Sequence, residues 1–170
     1  MKNVLLLFYM VCWVGICNAQ YEETDSISKS EMTKLSFMAG NWQGSGWMMG
    51  MDRTKSLFDQ TEKIQFKLDS TLMLIEGKGM ANGKTIHDAL ATVTYNKEKN
   101  CYDFRSYLNT GRKGVFKAEI KNNKFYWYPN ENTRYIIWLN EEEQWFEKGE
   151  FRREGNWYQF FEMILDRVDE

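Results

Sequence analysis

The chain has 170 residues, with 22 Lys and Arg against 24 Asp and Glu, one His and a net charge of −2. So mild a balance, with no basic stripe, argues against a dedicated nucleic-acid binder. Aromatic residues make up 16% of the chain, and without basic partners that content reads as sheet and core rather than as a stacking surface for bases.

In chain order, the first element is a secretory signal over residues 1–19. Lys2 supplies the positive start, Val4 to Ile16 is an apolar run, and Cys17-Asn18-Ala19 provides small residues ahead of Gln20. The run is shorter than the roughly 20 residues a transmembrane helix needs. The pattern predicts export, with cleavage near Ala19-Gln20, to the periplasm or the cell exterior. Cys101 is then the one cysteine left, so no intramolecular disulfide is expected.

Residues 20–29 are polar and read as a flexible arm. Ser30 to Met38 predicts a short helix with Ser30 as its N-cap and Met32, Leu35 and Met38 on one face. About ten strands follow, over 41–50, 54–68, 71–80, 84–95, 101–108, 112–120, 124–129, 133–140, 144–153 and 157–168. Asn82-Gly83 is the strongest hairpin signal, because both residues accept the positive φ of a tight turn. Asn109-Thr110-Gly111, Asn122-Asn123, Pro129-Asn130 and Gly155-Asn156 read as further turns. Connections this short force antiparallel neighbours. Residues 30–170 are therefore expected to form one all-β domain: an antiparallel up-and-down barrel, closed so that no edge is left exposed.

The alternation suggests what the interior holds. On 54–68, Phe58, Gln60, Glu62, Ile64, Phe66 and Leu68 share one face, with charged residues opposite. An inner face that mixes apolar side chains with Gln60 and Glu62 suits a cavity better than a filled core. On 84–95, His87, Ala89, Ala91, Val93 and Tyr95 share a face.

Gly40-Asn41-Trp42, entering the first strand after a short helix, resembles the opening of calycin barrels, the lipocalin and fatty-acid-binding group. The resemblance implies that Trp42 closes one end of the barrel and that Arg167, from the last strand, stacks on it. The run Gly40-x-Trp42-x-Gly44-x-Gly46 is similar to the start of nitrobindin-like haem-binding barrels. Those ligate haem through a histidine near the C-terminal end. The sole histidine here is His87, on a middle strand, so no cofactor is expected. The whole chain resembles a bacterial family of unknown function, DUF1579. That likeness rests on the same opening, Ile75-Glu76-Gly77-Lys78-Gly79, His87-Asp88-Ala89, Tyr95, Phe104-Arg105-Ser106-Tyr107 with Gly111, and Phe160-Phe161-Glu162-Met163.

Several chemistries lack their residues. A Ser or Cys nucleophile needs a neighbouring base, and His87 is the single histidine, with no Gly-x-Ser-x-Gly elbow. One His and one Cys cannot complete a zinc set, and no acidic calcium loop is present. Gly83-Lys84-Thr85 ends like a phosphate loop, but Lys78 stands where its first glycine is required. Gly77 and Gly79 read as sites of strand bending or close backbone approach.

The remaining candidates are polar residues on predicted strands: Gln60, Glu62, Glu76, His87, Arg105, Tyr107, Arg134 and Glu162. Turned inward, the charged ones must pair with each other or bind something charged. Arg105 with Tyr107 beside it suits the carboxylate of a lipid-like ligand, since guanidinium binds carboxylate bidentately. The expected function is that of an exported protein holding a small, partly apolar or amphipathic molecule in its barrel. One alternative is an isomerase- or hydrolase-type enzyme that uses Glu76 or His87 as base in the same cavity. A second is a cell-envelope interaction module presenting surface aromatics.

Overall fold

A computed structural model describes residues 24–169; the signal segment and the first four residues of the polar arm lie outside them. The helix α1 is Ser26–Thr33, and a 3₁₀ turn follows at Ser36–Met38. The helix starts four residues before the expected Ser30. Asp25 is the N-cap: its side chain accepts from the Ser28 backbone N–H at 3.2 Å and from the Ser28 hydroxyl at 2.9 Å. An acidic side chain satisfies the free N–H groups of a first turn, so the helix extends back into the polar arm. Met32, Leu35 and Met38 are fully buried, the three-residue spacing turning them to one side.

Ten strands follow among the described residues: β1 Gly40–Met49, β2 Lys55–Lys67, β3 Leu72–Ala81, β4 Lys84–Asn96, β5 Cys101–Leu108, β6 Lys113–Lys121, β7 Lys124–Asn130, β8 Thr133–Leu139, β9 Trp145–Arg153 and β10 Asn156–Val168. Each pairs antiparallel with the next, and β1 pairs with β10, so the sheet closes on itself. The Asn82-Gly83 hairpin has both residues at positive φ (50° and 73°), the geometry that matches strand twist. The single proline departs from expectation. Pro129 lies inside β7, where the ladder to β8 shifts register between Trp127 and Asn130. A residue without an N–H is tolerated where a ladder bond is already interrupted.

One end of the barrel is plugged. Trp42 is buried, its indole N–H donates to the Met38 carbonyl at 2.9 Å, and its ring meets Trp145 edge-on at 5.8 Å. The Arg167 guanidinium lies 4.1 Å above the Trp42 ring and donates to the Ala39 carbonyl at 2.6 Å. Tyr102 ties the helix down by donating to the Glu31 carbonyl at 2.9 Å. Apolar packing is thus concentrated at the helix end, and the other end is left open.

Candidate functional site

Above the plug lies a cavity of about 750 Å³, which reaches solvent at the rim formed by Met48, Ile86, His87, Arg112 and Lys113. Strand parity decides what lines it. Phe104, Trp127 and Tyr135, one each from β5, β7 and β8, form a column along one wall. Trp127 stacks on Phe104 at 4.7 Å and on Tyr135 at 4.4 Å, nearly parallel to both. Phe58 and Phe161 stack at 5.7 Å elsewhere on the wall.

Three polar side chains stand among these rings. Gln60, Glu62 and Glu147 line the cavity, yet are only 4%, 8% and 7% exposed. Gln60 and Glu62 follow one another on the inner face of β2, and the Gln60 amide donates to Glu62 Oε1 at 2.6 Å. Across the ladder to β3, Gly77 is opposite Glu62 and Gly79 opposite Gln60. A Cβ on Gly77 would lie 2.6 and 2.7 Å from the two carboxyl oxygens, and one on Gly79 would lie 2.7 Å from Gln60 Oε1. The close approach expected at these glycines is therefore made by side chains from β2, not by backbone. Glu147, on the inner face of β9, accepts at Oε2 from the Trp145 indole N–H at 3.3 Å.

Burial governs the electrostatics. Loss of water raises the Glu62 carboxyl to about 7, against the Gln60 amide, which lowers it. Burial raises Glu147 to about 8; the charge of Glu62 adds to this, and the indoles of Trp145 and Trp127 oppose it. The two carboxyls therefore sense each other, and burial favours the protonated form of both well above the ordinary carboxylate range. Burial also raises the Tyr135 hydroxyl, with Glu147 adding. At the rim, burial lowers His87 while Asp88 raises it.

Five candidates expected in the cavity lie on the outer surface. Ile75 and Gly77 point inward, so Glu76 between them points to solvent. Phe104 and Ser106 occupy the interior positions of β5, which turns Arg105 and Tyr107 outward; Tyr107 is 47% exposed, and Arg105 lies 3.5 Å from Asp103. Tyr135 and Ile137 do the same to Arg134, which pairs with Glu150 at 2.7 Å and sits 4.0 Å over the Trp157 ring. Phe161 and Met163 turn Glu162 outward, where it accepts from Trp47 at 3.2 Å and from Gln159 at 2.7 Å. In each case the bulky neighbour takes the interior, because alternate residues must face opposite ways. The arginine-and-tyrosine anchor for a carboxylate is thus not inside the barrel, and Glu76 is not placed to act as a base there.

Glu147 is the residue that sequence reasoning missed. Its signal is the alternation Trp145, Glu147, Gly149 on one face, obscured by the flanking charges of Glu141-Glu142-Glu143, Lys148 and Glu150. The donor set does not fit the histidine-ligated haem that the nitrobindin resemblance implies: His87 is at the rim on β4, and the deep polar groups are carboxyls and an amide. Among the described residues no cluster of three or more His, Cys, Asp or Glu could hold a metal ion.

A closed, ten-stranded antiparallel barrel with a helical plug and an open, part-polar cavity is a calycin-like fold. Two solved structures share it. Rv2717c from M. tuberculosis is 11% identical, with a TM-score of 0.59 over 82% of this chain and 98% of that one. The S-type phycobiliprotein lyase CPES from Guillardia theta is 9% identical, with a TM-score of 0.55 over 88% and 99%. No family model and no curated protein matches the sequence.

Proposed function

We propose that this chain is an exported barrel that binds a small, partly apolar molecule in its interior. The observation that carries the reading is the cavity of about 750 Å³, walled by aromatic side chains and holding Gln60, Glu62 and Glu147. Concave, mainly apolar sites with a few convergent polar groups are how proteins hold small ligands. Export is supported by the Lys2, Val4–Ile16 and Cys17-Asn18-Ala19 pattern, and no described helix is long and apolar enough to cross a membrane. The resemblance to DUF1579 belongs to the same proposal and adds no activity to it. Denaturing extraction and mass spectrometry of protein purified gently from its own source tests the reading. A stoichiometric small molecule is the expected result. An empty protein that also fails to bind the neutral fluorophore N-phenylnaphthylamine would overturn it.

One observation favours a second reading. Two carboxyls that titrate near neutrality inside one cavity can take up and return a proton. An isomerase- or hydrolase-type enzyme of this fold would use Glu62 and Glu147, in place of the outward Glu76, and would lose turnover in a Glu62→Gln protein.

A further inference from the structure

Resting on the small-molecule reading, we infer that the deep part of the cavity is a subsite for a protonated nitrogen, and that the ligand is an apolar amine. Glu62 and Glu147 are more than nine-tenths buried, and no ion pair among the described residues involves either. The basic side chains that line the cavity, Arg112 and Lys113, belong to its solvent-exposed rim. The acid pair is therefore a buried acceptor set without an internal counter-ion.

The set also has room for a ligand. Glu62 Oε1 is bonded to Gln60, while Glu62 Oε2 and Gln60 Oε1 have no hydrogen-bond partner among the described residues. Both belong to side chains that line the cavity. An ammonium group carries three donors and no acceptor, which suits a lining that offers free carboxylate and amide oxygens and no internal cation. The surrounding rings add to this: the bodies of Trp127, Trp145 and Tyr135 accept an apolar skeleton. A carboxylate in the same place would meet no cation and would add its charge to a site that already disfavours ionised Glu62 and Glu147. An alcohol supplies one donor and leaves the other oxygens unmet. A hard metal ion takes six or more oxygens, and two carboxyls with one amide among aromatic walls do not supply them.

Binding has a proton balance. Burial favours the protonated form of the empty pair well above the ordinary carboxylate range. An arriving R–NH3⁺ keeps its own protons and stabilises a carboxylate beside it, so one carboxyl proton leaves to solvent as the ammonium–carboxylate contact forms. An alcohol of the same skeleton displaces no proton.

Calorimetry on the purified full chain at about pH 7 tests this with phenylbutylamine, phenylbutanol and phenylbutyrate, in two buffers of different ionisation enthalpy. The amine is expected to bind on the order of tenfold tighter than the alcohol, with the carboxylate weakest and proton release confined to the amine. Glu62→Gln and Glu147→Gln should each weaken the amine about tenfold and narrow its advantage over phenylbutanol. An alcohol or carboxylate that matches the amine, or amine binding without proton release, would overturn the inference while N-phenylnaphthylamine binding upholds the cavity function. If N-phenylnaphthylamine and all three skeletons fail to bind, the cavity function falls and the subsite with it. The comparison of skeletons needs no variant, so a poorly folding substitution does not weaken the test.

Discussion

The Glu62 carboxyl occupies the space that a side chain at residue 77 would fill: a Cβ on Gly77 would stand 2.6 Å from Glu62 Oε1. The acidic part of the cavity thus depends on a glycine on the neighbouring strand. Gly77→Ala is expected to displace the carboxyl and lower stability by about 1–3 kcal/mol, as overpacking in a close-fitting site does. Urea denaturation measures it, and the amine preference should weaken in parallel. A protein with an unchanged midpoint would mean that Glu62 moves aside at no cost.

Burial of Glu62 and Glu147 makes stability depend on pH in an unusual direction. Their folded values are raised from an ordinary 4.5 to about 7 and about 8. Between those limits the folded state holds protons that the unfolded chain has released, so stability falls as pH rises from near 4.5 to near 8, then levels. Gln60, Trp145, Trp127 and Tyr135, the groups around the pair, do not change charge in that range. His87, lowered by burial, acts oppositely below neutrality. Comparing the parent with Glu62→Gln/Glu147→Gln cancels the His87 contribution. The variant should lose the decline, which amounts to a few kcal/mol. Parallel curves for the two proteins would show that the carboxyls are not desolvated.

Trp42 and Arg167 bear unequal weight in the plug. Trp42 is buried and touches Trp145, so Trp42→Ala should cost about 3–5 kcal/mol. Arg167 is largely in solvent and contributes a cation–π contact and a hydrogen bond to Ala39, so Arg167→Ala should cost about 1–2 kcal/mol. Urea midpoints rank the two. Equal losses would mean that the guanidinium, rather than the indole packing, closes the barrel.

Arg134 separates structural ion pairs from cavity chemistry. It bonds Glu150 and covers Trp157 on the outer surface, and Glu150 keeps Lys148 at 2.6 Å when the arginine is removed. Arg134→Ala should therefore lose about 1–2 kcal/mol of stability and leave N-phenylnaphthylamine affinity unchanged. A fall in affinity with stability intact would place the guanidinium inside the barrel.

The strands were legible because each signal is local. Period-two alternation and turn residues such as Asn82-Gly83 placed every strand boundary within a residue of its observed position. Gln60 and Glu62 were legible as inward for the same reason, being flanked at i±2 by Phe58 and Ile64. Arg134 and Glu162 were not, because their strands carry large apolar residues at both parities: Ile136 and Tyr135, Phe160 and Phe161. Which set faces inward then depends on register, and a bulge between Gln159 and Phe161 resets it on β10. Glu147 was hidden by its charged neighbours, although Trp145 and Gly149 mark its face. The helix start was misplaced because Asp25 and Ser30 are both acceptable caps, and the contact of Asp25 with Lys97 at 2.6 Å is not visible in local sequence.

A cavity and a filled core respond oppositely to added volume, and Ala91 distinguishes them. Its methyl group is 3% exposed and borders the cavity on β4, beside Ile75 of β3. In a filled interior Ala91→Phe would force its neighbours apart, at about 1–3 kcal/mol or more. Directed into the cavity, the ring instead finds apolar walls and displaces water, so stability should hold or rise while N-phenylnaphthylamine is excluded. Urea midpoints and probe fluorescence read the two effects on the same protein. Loss of probe with stability retained locates the binding space at Ala91. Loss of stability with the probe still bound would mean that this part of the interior is packed and that ligand enters elsewhere.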